Sequence, residues 1–297
     1  MRRAIPIVVS IAVLGWLARQ VDGAQLLGAL SPGIAWRMGL ALTLYGALTL
    51  LLEALSLRIL IPGNVKDFSA WTAARIKCAS YLLAILNYAL GAGALVVLLR
   101  KRTQLGLAAA GSLVLLISSV DMVVVLSVVA VGGAFLKDIA PAVPGALVAV
   151  VLLGFPSALW LLRTRHTLGP LEPLRNFPIF SALREIAIPR LVRLFCLRLL
   201  FVGCFTALCS ASFPIFGVQA PLPDVVVGTL IVGFVAGLGT SQAAFLFLFS
   251  DYASQEALLA QSLVLSAGML TLRALMGIAF AREFTREALQ AVREDAE

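Results

Sequence analysis

Long apolar runs alternate along the chain with short polar ones, and the length of each run limits what it can be. A helix rises about 1.5 Å per residue, so roughly 20 apolar residues cross the roughly 30 Å hydrocarbon core of a bilayer. Runs on that scale fall at residues 34–61, 105–135, 142–162, 191–213 and 257–280, and a shorter one at 4–18. The short run follows Arg2 and Arg3, as the apolar region of a signal peptide would, but no clean small-x-small cleavage site comes after it. It is therefore read as a first span. Turn-forming or basic clusters separate the runs: Ser31-Pro32-Gly33, Pro62-Gly63-Asn64, Arg100-Lys101-Arg102, and Lys137-Asp138 with Pro141 and Pro144.

Two further apolar stretches break at the centre. Residues 224–250 are interrupted by Gly237-Leu238-Gly239-Thr240-Ser241-Gln242, which leaves two arms of about three helical turns, each too short to cross alone. Residues 69–99 break around Asn87, Gly91 and Gly93, with Arg75 and Lys77 in the entering arm. Non-helical backbone at membrane depth survives only where protein or water covers it, so both stretches are expected to be re-entrant helical hairpins whose tips line a cavity. The pattern thus predicts an all-α polytopic membrane protein with six spanning helices and two re-entrant hairpins.

Composition supports that class: 61% of residues are hydrophobic, 13% are charged and the mean hydropathy is +1.02, more apolar than a soluble globule needs for its core. The net charge of +8 does not point to nucleic acid, because the arginines bracket the apolar runs instead of forming one solvated face. With the N-terminus cytoplasmic and both broken stretches taken as hairpins, 18 of the 23 lysines and arginines lie on the cytoplasmic side. Arg19, Arg37 and Lys137 lie outside, and Arg198 and Arg273 lie within spans. This is a strong positive-inside bias and places both termini in the cytoplasm.

The same assignment reads span, span, hairpin, span twice over, as residues 1–137 and 138–297. The first hairpin then enters from the cytoplasm and the second from outside, the pattern of an inverted-topology repeat within one membrane domain. Leu90–Leu99 resembles Leu238–Phe249, and Ser112-Leu113-Val114-Leu115 recurs as Ser262-Leu263-Val264-Leu265, at offsets of 148 and 150 residues. The second half also holds the arginine-rich loop 163–193, with a candidate interfacial helix at 178–188, and a charged tail at 281–297.

Cys78, Cys196, Cys204 and Cys209 sit in apolar stretches at spacings of no metal or disulfide framework, and His166 is the only histidine. No metal site and no cofactor is expected. A charge in hydrocarbon costs roughly 2.5–3.5 kcal/mol on insertion scales, so each one needs a partner or a use. Asp121 and Arg273 lie in corresponding spans of the two halves and are expected to pair, either as a bridge that fixes helix packing or with Arg273 holding a lipid phosphate and Asp121 resetting it. Glu53 lies about a turn and a half deeper than Arg58, which is placed to snorkel. Arg75, Lys77 and Arg198 either draw an anionic head group into a vestibule or snorkel to the interface.

At the hairpin tips, Asn87, Gly91 and Gly93 on one side and Gly237, Gly239, Thr240, Ser241 and Gln242 on the other offer backbone N–H groups and neutral side chains. Helix N-termini there would favour phosphate; alternatively the glycines simply allow close packing. Thr240 and Ser241 have no His or Lys base nearby in sequence, so nucleophilic catalysis is not expected.

At the two glycine-containing hairpins, at the Gly239–Phe249 segment followed by Leu258–Gly277, and at Asp121, the chain resembles the transmembrane region of the lysylphosphatidylglycerol synthase family, the flippase-like membrane proteins. The resemblance covers nearly the whole chain. The family's hairpin segments end in Gly-Glu and in Glu, where this chain has Gly93-Ala94 and Gln242, and of its Arg-x-x-Asp pattern only Ser118 to Asp121 remains. The full synthases carry a soluble aminoacyl-transfer domain; with 17 residues after Phe280, no such domain and no lipid aminoacylation are expected here. The resemblance implies binding or translocation of an anionic or glycosylated membrane lipid in a bacterial inner membrane. The alternative is a non-transporting membrane partner that positions a glycosyltransferase or another envelope-biosynthesis enzyme. An integral-membrane enzyme would need clustered acids or a metal site, and none is visible.

Overall fold

The computed structural model of the chain describes residues 32–61, 68–136, 142–164, 166, 169, 172–234 and 240–280. These are mostly helical, with no strand among them. The helices are α1 (Pro32–Leu60), α2 (Ala70–Leu86), α3 (Tyr88–Thr103), α4 (Leu107–Gly133), α5 (Ala142–Ala149), α6 (Phe155–Arg163), α7 (Glu172–Arg175), α8 (Ser181–Glu185), α9 (Ile188–Ile215), α10 (Leu222–Phe234), α11 (Thr240–Phe249) and α12 (Gln255–Ala279). Five helices are long and apolar enough to cross a membrane: Pro32–Leu60, Leu107–Gly133, Gly145–Arg163, Ile188–Ile215 and Gln255–Ala279. They coincide with five of the six runs expected from the pattern. The run at 4–18 and the tail at 281–297 lie outside the described residues.

The third of these spans is continuous only because it changes pitch. A π-helical turn, Val150–Gly154, joins α5 to α6 just ahead of Pro156. Proline supplies no N–H and its ring collides with the carbonyl four residues back, here that of Leu152, so a locally widened turn lets the helix pass.

The stretch 69–99 is two helices folded against each other, with Asn87 as the only residue between them. Asn87 is extended (φ −164°, ψ 135°); its N–H donates to the Leu83 carbonyl at 3.1 Å and its Oδ1 accepts from the Ala89 N–H at 2.7 Å. One side chain therefore starts α3 where the backbone of α2 ends. Gly91 and Gly93, expected at the break, lie inside α3. Gly91 is there for proximity: a Cβ on it would stand 2.4 Å from the Ala84 Cβ, and that close approach lets α3 run back along α2. The stretch 224–250 likewise gives two helices, α10 and α11, with a Cβ on Gly228 falling 2.5 Å from the Phe249 ring. Thr240, Ser241 and Gln242, expected in the break, form the first turn of α11, while Gly237 and Gly239 lie outside the described residues.

In the loop 163–193, the helix expected at 178–188 is divided. A 3-10 turn, Pro178–Phe180, leads into α8, which stops at Glu185, and α9 restarts at Ile188 with Pro189 in its first turn, where a missing N–H is tolerated. Arg163 donates to the carbonyls of Leu183 and Ile186, Arg175 to those of Thr164 and His166, and Arg184 to that of Arg175.

Chain contacts define two compact units, and both draw on residues 1–137 and on 138–297. The first comprises the described parts of Met1–Tyr45, Val128–Leu147 and Gly203–Met269. Its core is apolar and aromatic: the Phe213 ring lies 4.9 Å from that of Phe249, which lies 4.7 Å from Phe245, among Met38, Leu42, Leu208 and Leu258. The second comprises Gly46–Ser127, Val148–Val202 and the described part of Leu270–Glu297. Within it Gly46 of α1 receives Leu272 and Met276 of α12, and Gly277 of α12 receives Leu82 of α2. Glycine-mediated approaches bring α1, α2 and α12 together there, and Glu53, Lys77 and Arg273 lie on these three helices.

Candidate functional site

The second unit encloses a cavity of about 210 Å³. Its wall carries Glu53, Lys77, Asp121, Arg198 and Arg273, but neither Arg58 nor Arg75. Glu53 of α1 is 7% exposed, and both of its carboxylate oxygens are engaged from α2: Lys77 Nζ lies 3.0 Å from Oε1, and the Tyr81 hydroxyl donates to Oε2 at 2.6 Å. Lys77 and Tyr81 are four residues apart, on one helix face, which is why a single carboxylate can hold both. Arg75, two residues from Lys77, is carried by the helical twist to a different face and does not line the cavity.

On the same cavity, Asp121 of α4 is held bidentately by Arg198 of α9, through Arg198 Nε to Oδ1 and Nη2 to Oδ2, the latter at 2.7 Å. The expected pairing of Asp121 with Arg273 is not formed. Arg198 is 4% exposed, and its guanidinium lies 4.5 Å from the ring centroid of Phe201, one turn further along α9. The fork of a guanidinium matches a carboxylate, and the aromatic face covers its other side, so this is the better-satisfied of the two pairs.

Arg273 of α12 lines the cavity without a carboxylate. Its guanidinium is 6.0 Å from the centroid of the Tyr81 ring, and it forms no ion pair among the described residues. Lys77 lies 5.7 Å from the same ring, so Tyr81 sits between two cations while its hydroxyl is fixed on Glu53. The wall thus holds three cations, Lys77, Arg198 and Arg273, against two carboxylates, Glu53 and Asp121, an excess of one positive charge in an otherwise apolar helical layer. Gly91 also lines the cavity, and Gly93 faces open space.

The remaining candidates do not reach it. Asn87 is occupied as the α2–α3 cap. Gln242 is fully buried in the first unit, where its Nε2 donates to Ser266 Oγ at 3.2 Å and its Oε1 accepts from Ser241 Oγ at 3.1 Å; neither it, Thr240 nor Ser241 lines the cavity. Ala94 is buried. Sequence reasoning missed Tyr81, whose i+4 spacing from Lys77 was the available signal, and the uncharged lining residue Ser118. No group of three or more His, Cys, Asp or Glu residues arranged to hold a metal occurs among the described residues. The arrangement can bind an anion by charge and hydrogen bonds. Comparison with protein-family models, curated proteins and solved structures finds no match to this chain.

Proposed function

We propose that the chain is a lipid translocase or lipid-binding transporter whose cavity receives the anionic head group of a membrane lipid. Arg273 carries this reading: an exposed cation with no carboxylate partner among the described residues, on a charge-lined cavity between apolar helices. Placing such a charge in hydrocarbon costs roughly 2.5–3.5 kcal/mol, so an ordinary lipid-facing arginine would be selected against unless water or an anion meets it. A phosphate in the cavity meets it and cancels the excess charge of the wall. Lys77, with 21% of its side chain exposed, is the second donor within reach of that phosphate, because Tyr81 keeps Glu53 hydrogen-bonded when the ammonium turns away.

In the proposed topology both termini are cytoplasmic, 4–18 is a sixth span, and α2–α3 and α10–α11 are re-entrant hairpins of an inverted repeat in a bacterial inner membrane. The likeness to the lysylphosphatidylglycerol synthase membrane region fits this reading. The alternative is a non-transporting membrane partner; three of the six arginines of the 163–193 loop, on which that reading turns, are engaged by carbonyls of the same loop and its flanks. The deciding experiment is dithionite bleaching of fluorescent anionic and glycosylated lipids in proteoliposomes. Bleaching beyond the outer leaflet with the natural chain, lost in Arg273→Gln, is expected. Bleaching confined to the outer leaflet for every lipid, or unchanged by Arg273→Gln, contradicts translocation through this site.

A further inference from the structure

A second concavity, about 410 Å³ in volume, lies beside the first within the same unit. It is a groove between α4, through Ser118, Met122 and Leu126, and the π-helical turn, through Val150 and Gly154. Ser118 lines both concavities, so the apolar groove and the polar cavity meet at that residue. The Ser118 hydroxyl makes no hydrogen bond among the described residues, whereas the neighbouring Ser119 donates to the Leu115 carbonyl at 2.9 Å. A free hydroxyl at the join of a charged pocket and an apolar groove matches the ester carbonyl that joins a lipid head group to its chain.

Two features keep the groove open. No residue in the apolar window of the span Gly145–Arg163 is buried, and the span is tied at its C-terminal end, where Arg163 grips the Leu183 and Ile186 carbonyls. At Gly154 the space a side chain would fill is empty: the nearest atom to an added Cβ is a Val150 methyl at 3.9 Å. Packing alone would favour closing such a gap, because each side chain lining it forfeits contacts across it.

We propose that this groove binds one acyl chain of the same lipid whose anionic head group enters the cavity, with Ser118 donating to the ester carbonyl between them. The inference rests on the head-group reading and makes the substrate an acyl lipid that enters sideways from the bilayer, not a soluble anion.

The test measures binding to the purified full chain in detergent micelles of three probes sharing one charged group: glycerol phosphate, dihexanoyl phosphatidic acid and dioleoyl phosphatidic acid. Gly154→Leu and Met122→Trp, which fill the groove, are expected to weaken dioleoyl binding about tenfold, equivalent to about 1.4 kcal/mol, and to leave glycerol phosphate within about twofold. Arg273→Gln is expected to weaken all three probes. Filled variants that bind the dioleoyl lipid like the natural chain overturn the groove while leaving the head-group site standing; an Arg273→Gln chain that binds all three normally overturns the head-group site instead. Should the filled variants not fold, a dioleoyl analogue with a diazirine in its chain, photolysed on the natural protein, decides the matter. Adducts on Met122, Leu126 or Val150 support the groove, and adducts confined to other residues overturn it.

Discussion

The hairpin α2–α3 and the pair α10–α11 both break an apolar stretch with small and polar residues, yet one presents Lys77, Tyr81 and Gly91 to a cavity and the other closes over a phenylalanine cluster. In the second, Gln242 is hydrogen-bonded to Ser241 and Ser266, and Phe245 and Phe249 pack tilted and edge-on against Phe213. In the first, the polar groups meet charges of other helices and leave Arg273 over. The break in an apolar run therefore marks where the chain turns. Whether that turn becomes a binding site depends on what the neighbouring helices bring.

The comparison is broken most directly by removing one large group from each region. Glu53→Ala strips Lys77 and Tyr81 of their acceptor and is expected to cost about 3–5 kcal/mol, since a buried ion pair that loses one member leaves an uncompensated charge. Phe249→Ala, fully buried among three aromatic rings, is expected to cost a similar 3–5 kcal/mol or so. Unfolding in detergent should register both losses. Lipid binding should separate them: among molecules still folded, Phe249→Ala keeps the natural affinity, whereas Glu53→Ala, which frees Lys77 and widens the positive excess of the wall, binds anionic lipid more tightly. Altered lipid binding in both would mean that the second region is as functional as the first.

Next in size are the two glycine approaches. Gly91→Ala drives a methyl to 2.4 Å from the Ala84 Cβ and 2.7 Å from its Cα, a backbone contact that no rotamer change relieves. Gly228→Ala meets the edge of the buried Phe249 ring at 2.5 Å. Each is expected to cost about 1–3 kcal/mol by overpacking, but Gly91→Ala also pushes on a cavity wall and should lower lipid affinity, whereas Gly228→Ala should leave it unchanged. Equal binding by the two variants would show that the α2–α3 approach does not shape the site.

Much of the fold was legible because a bilayer-length apolar run has few alternatives: five of the expected spans are helices of that kind. The turn at Asn87 was legible for a related reason, since a cap-forming side chain inside an apolar run has little use in a continuous helix. For Gly91 both readings stayed open, because glycine serves both as a helix breaker and as a contact surface, and only the presence of Ala84 opposite it decides for packing. The choice of partner for Asp121 was beyond the sequence. Arg198 and Arg273 are both span arginines, and the one that pairs lies 77 residues away along the chain. Tyr81 was hidden by its own chemistry, since an aromatic in an apolar arm looks like packing until its hydroxyl is seen on Glu53.

Asn87→Ala sharpens the contrast on a smaller scale. It removes the side-chain acceptor for the Ala89 N–H and leaves the backbone bond to Leu83 in place, so a loss of about 1 kcal/mol is expected. Hydrogen exchange at the first turn of α3 should speed up while exchange in α2 does not. Acceleration through both helices would mean that Asn87 holds the whole hairpin together and does more than begin its second arm.

The smallest effect has the opposite sign. Gly93 lies two residues from Gly91 in the same helix, but an added Cβ there has no atom within 4 Å. Glycine inside a helix is less favourable than alanine by about 0.8–1 kcal/mol, chiefly through backbone entropy, so Gly93→Ala should stabilise the chain by up to that amount and leave lipid binding untouched. If Gly93→Ala instead destabilised the protein as Gly91→Ala does, α3 would need flexibility at Gly93 for some purpose other than packing. A loss of translocation with binding intact would identify that purpose as movement of the hairpin.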